Sequence, residues 1–336
     1  METKKCILSS LVLFSVLIPT LFMLVEVEAR ALKPPSDLDS GGYICSGYTE
    51  HEFGDRNKGT RVWYYIPDEL KNGDSAPVVV MLHGMILLAP DIYEAHIEHL
   101  CKQGYIVIFP QFQRGGIGGL LHDLMLDPDQ NDHLERAIDA TNLALSMIGA
   151  KADASKITLY GHSLGGLISL CWSADAWIPN SIVLANPSID STSGMPSFIS
   201  WLINIVELDW KSKIGAITCP VVLLTGNDDD IAPPSQVIEI YDALSAANSK
   251  TVYQLQTDKY GRPDLLADHM ACICDDGWIP SWMMNMLGGD GEVDATDRLF
   301  YWKALDEVLK GQTSVDFDMG EWSDGTPVKP VIQLKP

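Results

Sequence analysis

Six short runs of almost unbroken apolar residues constrain this chain more than any other feature: 77–82, 105–109, 157–160, 181–185, 221–224 and 251–255. Each is too short for a buried helix and lacks the alternation of a strand with one wet face. Such runs suit strands buried on both sides, as in a parallel sheet covered by helices. Between them lie segments with helical periodicity, at 91–102, 132–148, 236–246 and 295–309, and helix is also expected immediately after Ser163. Two further segments, 43–52 and 61–66, read as strands before the first run, the second alternating through Val62-Trp63-Tyr64-Tyr65-Ile66. The expected architecture is α/β: a doubly wound, mostly parallel, eight-stranded sheet with an antiparallel start. In open sheets of this kind ligands bind beyond the carboxyl ends of the strands, so the loops there are where chemistry should sit.

The 336 residues fit one large α/β domain, and no repeat or biased linker divides them. The expected organisation is 1–29 as a signal peptide, 30–60 as leader and first strand, 61–314 as the main domain and 315–336 as a C-terminal tail. Lys4 and Lys5 precede an apolar run over 7–25, and Val27-Glu28-Ala29 offers small or apolar residues at the −3 and −1 positions of a cleavage site. The run is long for a signal, which keeps an uncleaved anchor as the alternative. Either way the chain is expected outside the cytosol. Six cysteines remain beyond Cys6, and an even set in an oxidising compartment suggests disulfides, although Cys101 and Cys171 fall on apolar helix faces where unpaired thiols are ordinary. A formal net charge of −22 repels phosphate backbones and excludes nucleic acid as a partner class.

The loop after the 157–160 run reads Gly161-His162-Ser163-Leu164-Gly165-Gly166, which is G-x-S-x-G between a strand and a helix. A serine there sits on a sharp turn, and small residues two before and two after it let helix and strand pack closely. The helix beginning at the serine brings amide N–H groups and a favourable dipole to developing negative charge. Serine needs a base. Of the eight histidines, His269 lies in the loop after the last apolar run, whereas His96, His99, His133 and His162 read as packing or surface residues and His83 as shaping a turn. A carboxylate must orient the imidazole. Asp228, Asp229 and Asp230 follow the 221–224 run; three like charges cannot all be buried, and loop spacing favours Asp229, with Asp190 a distant alternative. Two N–H donors for an oxyanion are expected from Leu164 and from Met85 in the His83-Gly84-Met85 turn.

The set His83-Gly84, Gly161-x-Ser163-x-Gly165, Gly226-x-x-Asp229 and His269 resembles the α/β-hydrolase superfamily over about residues 60–310. It is most similar to the secreted esterase, lipase and cutinase-like branch, with chlorophyllase and dienelactone-hydrolase relatives. The resemblance implies the α/β-hydrolase fold with a small helical cap, a Ser163–His269–Asp229 triad, and Met85 and Leu164 as oxyanion donors. It also implies hydrolysis of carboxylic esters through an acyl-enzyme, with no cofactor. The same triad could serve a thioesterase, amidase or acyltransferase, and the fold alone could serve as a binding module. The apolar stretches 198–206 and 278–287 suggest a pocket for a hydrophobic ester, with Trp201, Ile205, Trp278 and Met283 as lining candidates. The chain is expected to be a monomer, touching membrane only through its N-terminal segment or at the interface of an insoluble substrate. No metal is expected: His269-x-x-Cys272-x-Cys274 lacks a fourth ligand, and Asp127-x-Asp129-x-Asn131 lacks the glycine and glutamate of a calcium loop and suits helix capping instead.

Overall fold

The computed structural model describes residues 31–33, 42–126, 129–190, 205–274, 288–289 and 291–336. The segment read as a signal peptide lies outside them, as do Trp201, Trp278 and Met283. Among the described residues no helix is long and apolar enough to cross a membrane.

The strands in chain order are β1 (Leu32–Lys33), β2 (Tyr48–Phe53), β3 (Val62–Pro67), β4 (Ala76–Leu82), β5 (Ile106–Pro110), β6 (Ala152–His162), β7 (Ser181–Ala185), β8 (Val221–Gly226), β9 (Lys250–Leu255), β10 (Glu321–Trp322) and β11 (Ile332–Lys335). The main sheet runs β11-β9-β8-β7-β6-β4-β5-β3-β2. From β5 through β4, β6, β7 and β8 to β9 the pairs are parallel, while β2 and β3 join antiparallel at one edge and β11 joins antiparallel at the other.

Both faces of the central parallel strands are dry, which is why those strands read as nearly unbroken apolar runs. Along β4, Val79 and Met81 enter one core layer, whereas Val78, Val80 and Leu82 enter the other. The first layer is closed by α1 (Glu94–Lys102) and by a π-helical turn, Asp297–Trp302, that continues into the helix Lys303–Leu309. Three further helices close the second: Gln130–Ile148, Leu164–Asp175 and Pro234–Ala243. Burying each Val, Leu or Ile contributes about 1.5–3 kcal/mol, so a strand buried on both faces anchors the fold far more than an edge strand. Asp129 caps Gln130–Ile148 by accepting from the Asn131 N–H at 2.8 Å, the capping role expected of that acidic cluster.

Two expectations change. The sheet has nine strands rather than eight, because the tail returns to pair β11 with β9. Fully buried Trp322 pins that tail, its Nε1–H donating to Asp258 Oδ2 at 3.2 Å, and β10, to which it belongs, pairs with β1 of the leader. The expected helix over 295–309 is present, with a π-helical stretch at Asp297–Trp302 that begins at buried Asp297. Finally, the six described cysteines are free thiols, not disulfides. The sheet keeps Cys101 and Cys272, in one core layer, apart from Cys171 and Cys219 in the other, and the Cys45 thiol donates to the Cys101 carbonyl at 3.2 Å. Burial pushes the Cys219 thiol up to about 11 and those of Cys171 and Cys274 to about 12, so they behave as small apolar side chains.

Candidate active site

Ser163 stands where β6 ends and Leu164–Asp175 begins, with φ 54° and ψ −117°. A non-glycine residue in that region stores about 1–3 kcal/mol of strain, held only if its surroundings over-determine it. They do. The Ser163 N–H donates to Ala185 O at 3.2 Å, and its carbonyl accepts from the N–H groups of Gly166 at 2.9 Å and Ser188 at 3.2 Å. The glycines make room for the turn: a Cβ on Gly161 would lie 2.5 Å from Gly165 O, and one on Gly165 would lie 2.0 Å from Leu82 O.

His269 follows β9 and is buried, as are Ser163 and Asp229. Its Nδ1 is 2.9 Å from Asp229 Oδ2, and its Nε2 is 2.8 Å from Ser163 Oγ. The carboxylate can only accept, so Nδ1 carries the hydrogen and the bare Nε2 accepts from the serine hydroxyl. The other carboxylate oxygen, Oδ1, accepts from the N–H groups of Ile231 at 3.0 Å and Ala232 at 2.7 Å. Asp228 and Asp230 are exposed, so the three-carboxylate loop buries one charge and leaves two in water. Two close approaches set this geometry. Gly226 admits Ala267 O, which would stand 2.0 Å from a Cβ there, and Gly288, at φ 97°, lies against the His269 Cβ.

Opposite the serine, the turn after β4 carries His83, Gly84 and Met85. The His83 Nδ1–H donates to Gly84 O at 2.7 Å, and its ring stacks on Phe112 with centroids 3.8 Å apart. Burial pushes His83 down to about 3, so the ring stays neutral. The N–H groups of Met85 and Leu164 have no acceptor among the described residues, as anion-binding donors require. Ile86, next in the chain, has φ 63°, a strained value for a β-branched residue, and its N–H donates to Gln113 Oε1 at 2.7 Å. Gln113 was not visible as a site residue in the sequence, because 27 residues separate the partners and nothing local marks the contact. A cleft of about 600 Å³ opens beside this turn, lined on one part by Trp63, Ile86, Leu88, Pro90 and Ile117 and on another by the charged Glu50, Glu52, Arg56, Arg61 and Asp91.

Of the remaining expected site residues, half-buried Ile205 precedes Val206, which pairs with Asp129 at the start of Gln130–Ile148. Asp190 is exposed beyond β7, and the acid at His269 is Asp229. Among the described residues no group of three or more His, Cys, Asp or Glu side chains could hold a metal.

Residues 66–293, well over half of the chain, match the family model described as chlorophyllase. The chain belongs to the chlorophyllase family. It is accordingly a serine hydrolase of the α/β type. The chain is also similar to the solved structure of an acylaminoacyl peptidase in complex with Z-Gly-Gly-Phe-chloromethyl ketone, with 18% identity and TM-score 0.53 over 81% of this chain and 43% of that one. A protein described as a dienelactone hydrolase from Klebsiella pneumoniae subsp. pneumoniae matches with 17% identity and TM-score 0.46, over 67% of this chain and 89% of that one. The chain spans less than half the length of the peptidase, and at these identities the likeness is one of fold. No significant match is found among curated proteins.

Proposed function

We propose that this chlorophyllase-family protein hydrolyses carboxylic esters outside the cytosol through an acyl-enzyme on Ser163. The observation that carries the reading is the hydrogen-bond chain Asp229–His269–Ser163, at 2.9 and 2.8 Å. His269 takes the serine proton as Oγ attacks the acyl carbon, and Asp229 holds the tautomer that leaves Nε2 free to do so. The N–H groups of Met85 and Leu164 stabilise the tetrahedral oxyanion. His269 then protonates the departing alcohol, and water repeats the sequence to release the acid.

The proposed substrate is a large, apolar ester. Supporting it are Trp63, Ile86, Leu88 and Pro90, the apolar part of a cleft that also carries Glu50, Glu52, Arg56, Arg61 and Asp91, and the exposed Ile117, Leu121, Met125 and Leu126, which run on from that cleft along 117–126. The family's own name points to chlorophyll, which belongs in the test panel.

The test is labelling of the purified protein with a fluorophosphonate probe beside Ser163→Ala, followed by hydrolysis of p-nitrophenyl esters of rising acyl length and of chlorophyll. Stoichiometric labelling lost in the variant is expected, with hydrolysis favouring apolar esters. A folded protein that does not label would remove the mechanism, and a preference for charged or very polar esters would remove the substrate class.

A further inference from the structure

His162, the variable residue inside the nucleophile turn, reads from sequence as packing, yet its ring is buried in a continuous chain of hydrogen bonds. The Gly84 N–H donates to Tyr93 Oη at 3.0 Å, and Tyr93 Oη lies 2.9 Å from His162 Nδ1. Across the ring, His162 Nε2 lies 3.1 Å from the backbone carbonyl of His269. The roles are forced. A carbonyl can only accept, so Nε2 carries the hydrogen; Nδ1 is then bare and accepts from the Tyr93 hydroxyl, whose oxygen accepts from Gly84. Every hydrogen has one place to go. The His269 carbonyl accepts a second bond, from Asn186 Nδ2 at 3.1 Å, and Asn186 Oδ1 in turn accepts from the Tyr301 hydroxyl at 3.2 Å. Gly84 also admits the ring closely, since a Cβ there would lie 3.1 Å from His162 Nδ1.

This chain joins the two loops that must meet at Ser163. At one end is the turn that presents the Met85 N–H; at the other is the backbone of His269 itself. Building on the ester-hydrolase reading, we propose that Tyr93 and His162 are positioning residues that lock the oxyanion turn and the base loop into one frame around the serine. Neither touches the reacting atoms. The frame is rigid because it is dry: burial holds His162 neutral, well below its usual range, and raises the Tyr93 hydroxyl well above its own, so neither ionises during turnover. The two neighbouring imidazoles, with centroids 5.1 Å apart, therefore hold opposite tautomers, His162 with hydrogen on Nε2 and His269 with hydrogen on Nδ1.

The experiment compares the unaltered chain with Tyr93→Phe, His162→Leu and His162→Gln, scoring kcat, KM and fluorophosphonate labelling rate per titrated serine. Misplacing a catalytic group by about 1 Å can cost 100-fold. Tyr93→Phe, which removes one oxygen and leaves the ring, is expected to lower kcat and labelling rate by about 10- to 100-fold with KM nearly unchanged. His162→Gln, which restores an N–H near the Nε2 position, should recover part of what His162→Leu loses. Nitrogen-15 NMR of the unaltered protein should find His162 protonated on Nε2 alone. Full kcat and labelling rate per serine in Tyr93→Phe, or a hydrogen on His162 Nδ1, would overturn the frame while leaving the hydrolase reading intact. Absence of labelling in the unaltered chain would overturn the hydrolase reading and the frame together. Should His162→Leu fail to fold, Tyr93→Phe and the NMR tautomer still decide.

Discussion

Replacing His96 by phenylalanine should stabilise this protein, and more so as the pH falls. His96 lies on α1 with 1% of its surface exposed. Its ring stacks on Trp302 with centroids 5.3 Å apart and meets Tyr160 edge-on at 5.0 Å. Neither ring nitrogen has a hydrogen-bond partner among the described residues. A buried polar atom left unpaired costs about 1–3 kcal/mol, and replacing such a ring by an apolar one of similar shape removes that cost. Phenylalanine is slightly larger, and overpacking takes back part of the gain, leaving about 1 kcal/mol at pH 7.5. The pH dependence is independent of packing. Burial, helped by neighbouring His99, holds His96 well below the ordinary value of 6.5, so the folded state refuses a proton that the unfolded chain accepts. The stability of the unaltered protein is thus complete above pH 6.5 and is lost as the pH falls below it. The loss from this residue is about 1.4 kcal/mol for each unit, which phenylalanine abolishes. Urea unfolding of both proteins at pH 7.5 and 5.5 should therefore show the variant's advantage growing by about 1 kcal/mol. An advantage that stays constant between the two pH values would refute the reasoning, whatever its size.

Three further outcomes are expected. Asp229→Asn leaves the fold but presents an amide to His269 Nδ1, and should lower kcat by about 10⁴-fold with near-normal thermal unfolding. Gly165→Ala drives a Cβ to within 2.0 Å of Leu82 O, between the helix after Ser163 and the strand leading to the oxyanion turn; loss of activity is expected, with a destabilisation of about 3 kcal/mol or more by calorimetry. Asp123→Ala should cost about 3–5 kcal/mol in urea, because Arg114, Arg136 and His133 all converge on that buried carboxylate. Burial raises the Asp123 carboxyl, but His133 beside it and its bonds from Arg114 outweigh this and hold it down to about 2, so its contribution is present above about pH 4 and disappears as the pH falls toward 2.

What could be read in advance follows from how local each determinant is. The parallel strands were legible because burial on both faces leaves no polar alternation to confuse with a surface strand, as β4 and β7 show. Ser163 was legible because its constraint is steric and spans six residues, from Gly161 to Gly166. Asp229 could be separated from Asp228 and Asp230 only by supposing that one charge of three is buried, and the Ile231 and Ala232 N–H groups supply the reason that it is this one. The ninth strand escaped because Ile332–Lys335 has little buried surface of its own; Trp322 holds the tail, and a lone tryptophan carries no periodicity.

The histidines show where local reading stops. His83, His96 and His162 are all buried and neutral, and only its place in the loop after the last apolar run sets His269 apart from them in the sequence. What distinguishes them is what the fold brings from afar. His162 meets Tyr93 across 69 residues and the His269 carbonyl across 107, which uses both of its nitrogens and leaves it no proton to exchange. His269 meets Asp229 across 40 residues on one side and only a serine hydroxyl on the other, 106 residues away. An imidazole with both nitrogens tied to fixed partners can hold a loop in place, whereas one whose second nitrogen accepts from an ionisable hydroxyl can move a proton. Two rings of the same residue type, 5.1 Å apart, are thereby given different work by their partners alone.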